Sequence, residues 1–215
     1  KAPAVFDYKK LEFYNANYIR QLSTEELYKW TLPFITGTGD ATLEINPENP
    51  QPKPNVGPEF SGVALGDDGE PYCVDKSMNM TSADVKKTLM GLMPLIQERL
   101  KFLTEAAEMV HFMFTEPAVP PVEQLIPKKL DQEKTKEVLE NARDFVAKVF
   151  ETDHEGAENF AKAKAEKLGI KLGDFMMPIR MAVTGSRVSP PLIGSIAVLG
   201  KEKSLARLER AIATL

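Results

Sequence analysis

A chain of 215 residues, 43% hydrophobic and 27% charged, can bury one large core or two small ones and has the balance of an ordinary globular protein. Its apolar runs, such as Ile196–Leu199, are too short to span a bilayer, and the single Cys73 excludes an internal disulfide and a cysteine-based zinc site. The net charge of -4 counts against a polyanion partner, but its distribution does not: Asp131–Glu166 holds ten acidic and six basic residues, whereas Arg180–Leu215 holds six basic residues (Arg180, Arg187, Lys201, Lys203, Arg207, Arg210) against Glu202 and Glu209. The opening Lys1–Asp7 has neither an initiator Met nor an apolar leader, so it reads as a cut inside a longer, cytoplasmic protein, with Cys73 an incidental thiol.

The elements are helical almost throughout. After Asp7, Leu11, Tyr14 and Tyr18 share a helix face, and Ser23-Thr24-Glu25-Glu26 is a capping box opening a helix with Leu27, Trp30 and Leu32. Residues 37–72 break the pattern with Pro47, Pro50, Pro52, Pro54 and Pro58 and read as a surface insertion or long loop. Thr81-Ser82-Ala83-Asp84 restarts a helix, and Pro94 falls where a new one can begin, with Leu95, Leu100, Leu103, Ala107 and Val110 as its apolar face. Pro117, Pro120, Pro121 and Pro127 make a second break, suited to a linker. Beyond it Val138, Leu139, Ala142, Phe145, Val146, Val149 and Phe150 follow a 3.6-residue period. Gly169 caps a helix ending at Leu168, Ser189-Pro190 reads as an N-cap with proline in the first helical position, and Gly200 ends that short helix. Leu205, Leu208, Ile212 and Leu215 line the last one. The fold class expected is all-α, with no confident strand and two helical subdomains.

No catalytic set assembles from these residues. His111 lies among Val110, Phe112 and Phe114, the setting of a core or groove histidine, and His154 lies in a polar turn without a metal-binding partner at helical spacing. Gly185-Ser186 lacks the flanks of a nucleophile elbow, and Gly37-Thr38-Gly39 lacks the Gly-Lys-Ser/Thr of a phosphate loop. The residues therefore point to a binding module, without a catalytic residue or a metal site. The alternative is a helical protein-interaction scaffold that binds no RNA.

Three segments are more specific than composition. Lys10-Leu11-Glu12-Phe13-Tyr14-Asn15-Ala16-Asn17-Tyr18-Ile19-Arg20 resembles the run that follows the lysine loop of bacterial-type glutamyl-tRNA synthetases. Met177-Pro178-Ile179-Arg180-Met181-Ala182-Val183-Thr184-Gly185, continuing through Ser189-Pro190-Pro191-Leu192 to Lys201–Arg210, resembles their C-terminal signature, and Gln97-Glu98-Arg99-Leu100-Lys101 matches the helix between. The resemblance covers Phe6–Leu215 apart from 37–72. It implies residues 1–22 as the end of a stem-contact domain, 23–120 as a first helical anticodon-binding subdomain and 121–215 as a second. It also implies that the parent is a class I aminoacyl-tRNA synthetase, a monomer joining glutamate to tRNA(Glu) with ATP and Mg, while this part holds no cofactor and binds neither DNA nor membrane. By the same resemblance, Arg180, Ser189, Pro190, Leu192 and Ile193 hold the first anticodon bases and Arg99 the third, while Arg20, Lys203 and Arg207 face the tRNA backbone. The chemistry is compatible: guanidinium forks and a helix N-terminus suit base edges and phosphates of single-stranded RNA. Ile193 stands where the family often has an aromatic, so no stacking face is available there.

Overall fold

A computed structural model describes residues 7–38 and 57–215. Residues 1–6, and Pro47, Pro50, Pro52 and Pro54 of the proline-rich stretch, lie outside them. The described chain forms eleven α-helices and one two-stranded sheet, in two compact units that divide between Thr115 and Glu116.

The first unit starts with α1 (Tyr8–Gln21), whose N-cap Asp7 accepts the Lys10 N–H at 3.1 Å. The side chain of Ser23 and that of Glu26 satisfy each other's backbone N–H groups and open α2 (Thr24–Ile35). The short α3 (Gly57–Ser61) leads into β1 (Val63–Leu65), which pairs antiparallel with β2 (Pro71–Cys73) in the register Val63↔Cys73 and Leu65↔Pro71. A second capping box, Thr81 with Asp84, starts α4 (Ser82–Gln97), and α5 (Ala106–Phe114) follows a 3-10 turn. Leu27, Ile35, Leu89, Leu92, Met93, Ile96, Val110 and Phe114 form the buried core where α2, α4 and α5 meet.

Several expectations are corrected here. Residues 57–72 are not a loose loop: Val63 is buried, and Gly62 passes so close to Phe114 that an added Cβ would lie 2.6 Å from its carbonyl oxygen. Gly62 also has φ +77, so both space and backbone require glycine there. Pro94 does not begin a helix; α4 runs through it and ends at Gln97. The face expected from Leu11, Tyr14 and Tyr18 is exposed, Tyr18 to 69%, while Ala16 and Ile19 are buried in their place. The reason is that α1 is held by polar contacts to the end of α4. Gln97 Nε2 donates to the carbonyls of Ile19 and Leu22 at 2.9 and 2.7 Å, and Asn15 Nδ2 donates to the Lys101 carbonyl.

The second unit contains α6 (Val122–Leu125), α7 (Gln132–Val149), α8 (His154–Lys167), α9 (Leu172–Thr184), α10 (Leu192–Leu199) and α11 (Lys201–Ile212). Six of the seven residues of the period seen in sequence form the buried face of α7 (Val138, Leu139, Ala142, Phe145, Val146 and Val149), whereas Phe150 follows the helix as its C-cap and is exposed. Against it lie the small stripe Ala157, Ala161 and Ala165 of α8, Phe175 of α9 and the inner face of α11. Phe145 and Phe175 meet edge to face at 6.0 Å, a favoured aromatic geometry. Outside this core Arg143 of α7 grips Glu209 of α11 with two bonds of 2.6 and 2.7 Å. No described helix is long and apolar enough to cross a membrane.

Candidate nucleic-acid interface

The segment joining α9 to α10 is built around one arginine. α9 stops at Gly185, which takes φ +69 and packs so tightly that an added Cβ would sit 2.8 Å from Pro117 Cβ. Thr184 Oγ1 then donates to the Ser186 carbonyl at 3.1 Å, and the Val188 N–H donates to Ser186 Oγ at 3.1 Å. Arg180, half-buried on α9, reaches across this turn. Its Nη1 donates to the Pro190 carbonyl at 2.8 Å, to the Ser189 carbonyl at 3.3 Å and to Ser189 Oγ. A charged donor on three acceptors fixes the path of the loop, and Pro190 and Pro191 restrict it further by their locked φ.

This geometry redistributes the expected roles. Ser189 does not cap the helix: its hydroxyl is taken by Arg180 and it is buried. The residue before α10 is Pro191, which has no capping side chain, so the first-turn N–H groups of Leu192, Ile193 and Gly194 have no acceptor among the described residues. Pro190, Leu192 and Ile193 are buried too; they are the foundation of the loop. The loop side chains that face solvent most are those of Arg187 and Val188, the latter 60% exposed, with Ser186 and Pro191 half-exposed. Neither Arg187 nor Val188 stands out in sequence beyond the basic tally of the last segment, because exposure of a loop residue leaves no periodic signal.

Arg207 is a correction of a different kind. It is 2% exposed, with Nη1 donating to the Val183 carbonyl at 2.7 Å and Nη2 paired with Glu116 at 3.3 Å. Burial pulls its guanidinium below the usual arginine range, and Glu116 opposes that shift. Such a residue braces the second unit from inside, unlike the surface position expected for it. Arg210 shares Glu116 from the surface. Lys203 is exposed on α11.

In the first unit, Arg20 is tied to α4 through Glu98 (Nε to carboxylate 3.1 Å, Nη2 to the carbonyl 3.3 Å) and to Asn17 at 3.2 Å. Arg99 lies one residue beyond, past the end of α4, exposed and without a side-chain partner among the described residues. Because the helix has ended, its apolar neighbours three and four residues away do not form a face around it. The motif segments Lys10–Arg20 and Gln97–Lys101 are thus brought together through Gln97, Glu98 and Lys101, while the Arg99 side chain between them is exposed.

A family model described as an anticodon binding domain matches residues 67–212. The chain belongs to that family. The match takes in β2, all of α4 and α5 and the whole Arg180-centred loop of this anticodon-binding domain. Among its relatives is a glutamate–tRNA ligase of Treponema denticola, 48% identical over 214 residues, covering 99% of this chain and 39% of the relative. Another, from Roseiflexus castenholzii, is 35% identical over 214 residues, covering 100% of this chain and 35% of the relative. The chain therefore spans less than two-fifths of the curated relatives it matches. In fold it is similar to a glutamate tRNA ligase from Elizabethkingia meningosepticum, with a TM-score of 0.55 and 18% identity, covering 100% of this chain and 34% of that one.

Proposed function

We propose that this chain is the anticodon-reading part of a glutamate–tRNA ligase, a cytoplasmic monomer whose chemistry, ATP-dependent joining of glutamate to tRNA(Glu), is carried by sequence outside the chain. ATP and Mg belong to that catalytic part. Among the described residues no group of three His, Cys, Asp or Glu is placed to hold a metal ion.

The observation that carries the reading is the Arg180 clamp beside an uncapped α10. Unstacked bases are read by backbone and side-chain hydrogen bonds plus apolar contact. A loop held rigid by Arg180, ending in unsatisfied N–H groups and presenting Val188 and Pro191, supplies these parts. In this reading Arg180 and Ser189 position the loop, Pro190, Leu192 and Ile193 support it from below, and the first two anticodon bases lie on its exposed side. Arg99 reads the third base, and Arg20 and Lys203 face the RNA backbone. Arg207 has no part in it.

The test is binding of anticodon stem-loops that differ in the third base alone. Arg99→Ala is expected to narrow the preference for the glutamate over the glutamine stem-loop, at a cost of about 1–3 kcal/mol on the preferred one. Lys203→Ala is expected to weaken both alike and to flatten the salt dependence. Equal loss of both stem-loops with Arg99→Ala would show a backbone contact, and no RNA binding by the unaltered chain would overturn the reading.

A further inference from the structure

The second unit holds a cavity of about 320 Å³ that no role above uses, lined by Pro127, Lys128, Lys129, Gly173, Asp174, Met177 and Arg187. Its volume lies at the lower end of ligand sites, roughly 300–1,000 Å³. Three cations and one carboxylate surround it, and none of Lys128, Lys129 and Arg187 has an ion pair or side-chain hydrogen bond among the described residues. Like charges gathered on one small concavity repel one another, and an anion from outside relieves that repulsion. Other cations of this unit either have a carboxylate partner, as Arg143, Lys162 and Arg210 do, or stand singly on the surface, as Lys167 and Lys203 do; here three line one concavity with the single carboxylate of Asp174.

Its position is informative. Arg187 belongs to the loop clamped by Arg180. Met177 stands one turn before Arg180 on α9, and Gly173 and Asp174 stand one turn before Met177, so the cavity continues the helix row that ends at the clamp. Met177 and Pro127 give it apolar surface, and a Cβ added at Gly173 would meet nothing within 4 Å, so that end is open. Cationic rims with an apolar floor suit one nucleotide of a single strand: phosphate on the cations, base on the thioether and the proline ring. Lys128 and Lys129 come from the segment before α7 and Arg187 from the loop after α9, so the tertiary fold alone assembles them.

We infer that this cavity is a second RNA subsite, in which Lys128, Lys129 and Arg187 hold a backbone phosphate of a nucleotide next to those read at the Arg180-clamped loop. The inference rests on the anticodon-binding reading and adds residues to it.

The experiment uses the full 215-residue chain and a glutamate anticodon stem-loop titrated over a range of salt. Replacing Lys128, Lys129 and Arg187 together by alanine is expected to weaken binding about tenfold or more, the scale of hydrogen bonds to a charged group. The slope of log affinity against log salt should shrink by about 0.7 for each phosphate that the variant no longer neutralises. A charge-matched control, Lys136, Lys162 and Lys167 to alanine, should leave the slope unchanged. Asp174→Asn, which removes the carboxylate from the cavity, should tighten binding and steepen the slope, a gain that a misfolded variant cannot produce. Millimolar inorganic phosphate should compete weakly if the subsite takes RNA phosphate; displacement of the stem-loop by phosphate at low concentration would show a free-anion site and overturn the inference. An unchanged slope in the triple variant, or equal loss in the control, with the unaltered chain still binding, overturns this subsite and leaves the anticodon reading standing. No binding by the unaltered chain overturns both.

Discussion

Arg207 shows how far a single side chain's role depends on what surrounds it. A guanidinium that is 2% exposed bonds to the Val183 carbonyl and to Glu116, so its loss strands a buried carbonyl and leaves a void. Arg207→Ala is therefore expected to lower unfolding free energy by about 2 kcal/mol or more, read by urea denaturation. Lys203→Ala, four residues earlier on the exposed side of α11, should stay within about 0.5 kcal/mol of the unaltered protein. If the two variants melt alike, Arg207 is not a brace and its removal from the RNA-facing set is wrong. In sequence the two residues are equivalent: both are basic and lie in the same motif. Glu116, which distinguishes them, is 91 residues away from Arg207.

At the scale of elements, the helix starts are local and therefore legible. The box Ser23–Glu26 forms as its spacing implies, and the helix restart at Thr81–Asp84 turns out to be a second box. Hydrogen bonds from Ser23, the backbone first, hold the Glu26 carboxyl below its ordinary range, and those from Thr81, the hydroxyl first, do the same for Asp84. Each depressed carboxylate favours the fold when ionised. That contribution is complete above the ordinary carboxylate range and disappears as pH falls through the lowered folded value. Ser23→Ala and Thr81→Ala should each cost about 1 kcal/mol at neutral pH. Both should also reduce the loss of stability between about pH 6 and pH 3, measured as urea midpoints across that range. An acid limb that is unchanged in both variants would show that the caps do not matter to it. By contrast, Pro94 and the Ser189-Pro190 pair mislead when read locally. Proline is permitted at a helix start, but α4 continues through the first, and Arg180 draws Ser189 away from α10.

For the whole molecule, each unit has its own buried core, with Phe145, Phe175, Ile179 and Leu208 entirely inside the second. Residues 116–215 on their own are expected to give a helical circular-dichroism spectrum and a single cooperative melt; a gradual, non-cooperative loss of signal would show that the division is not a folding boundary. The complete chain is expected not to catalyse glutamate-dependent pyrophosphate exchange, since no phosphate loop or nucleotide-binding motif occurs in it. Turnover by the pure chain would refute that.

Spacing within a few residues is enough to specify the helical class, the capped start of α2 and most of the inner face of α7, because each depends on near neighbours in the chain. It misassigned the outer face of α1, since Leu11, Tyr14 and Tyr18 have helical spacing whichever way the helix is turned, and hydrogen bonds from Gln97 and Asn15 turn it. Which basic residues face solvent depends instead on long-range packing. It placed Arg207 inside, committed Arg180 to the loop, and gathered Lys128, Lys129 and Arg187 from distant segments around one cavity. Burial and counter-ions are set by residues far apart in the chain, and no short-range pattern encodes them.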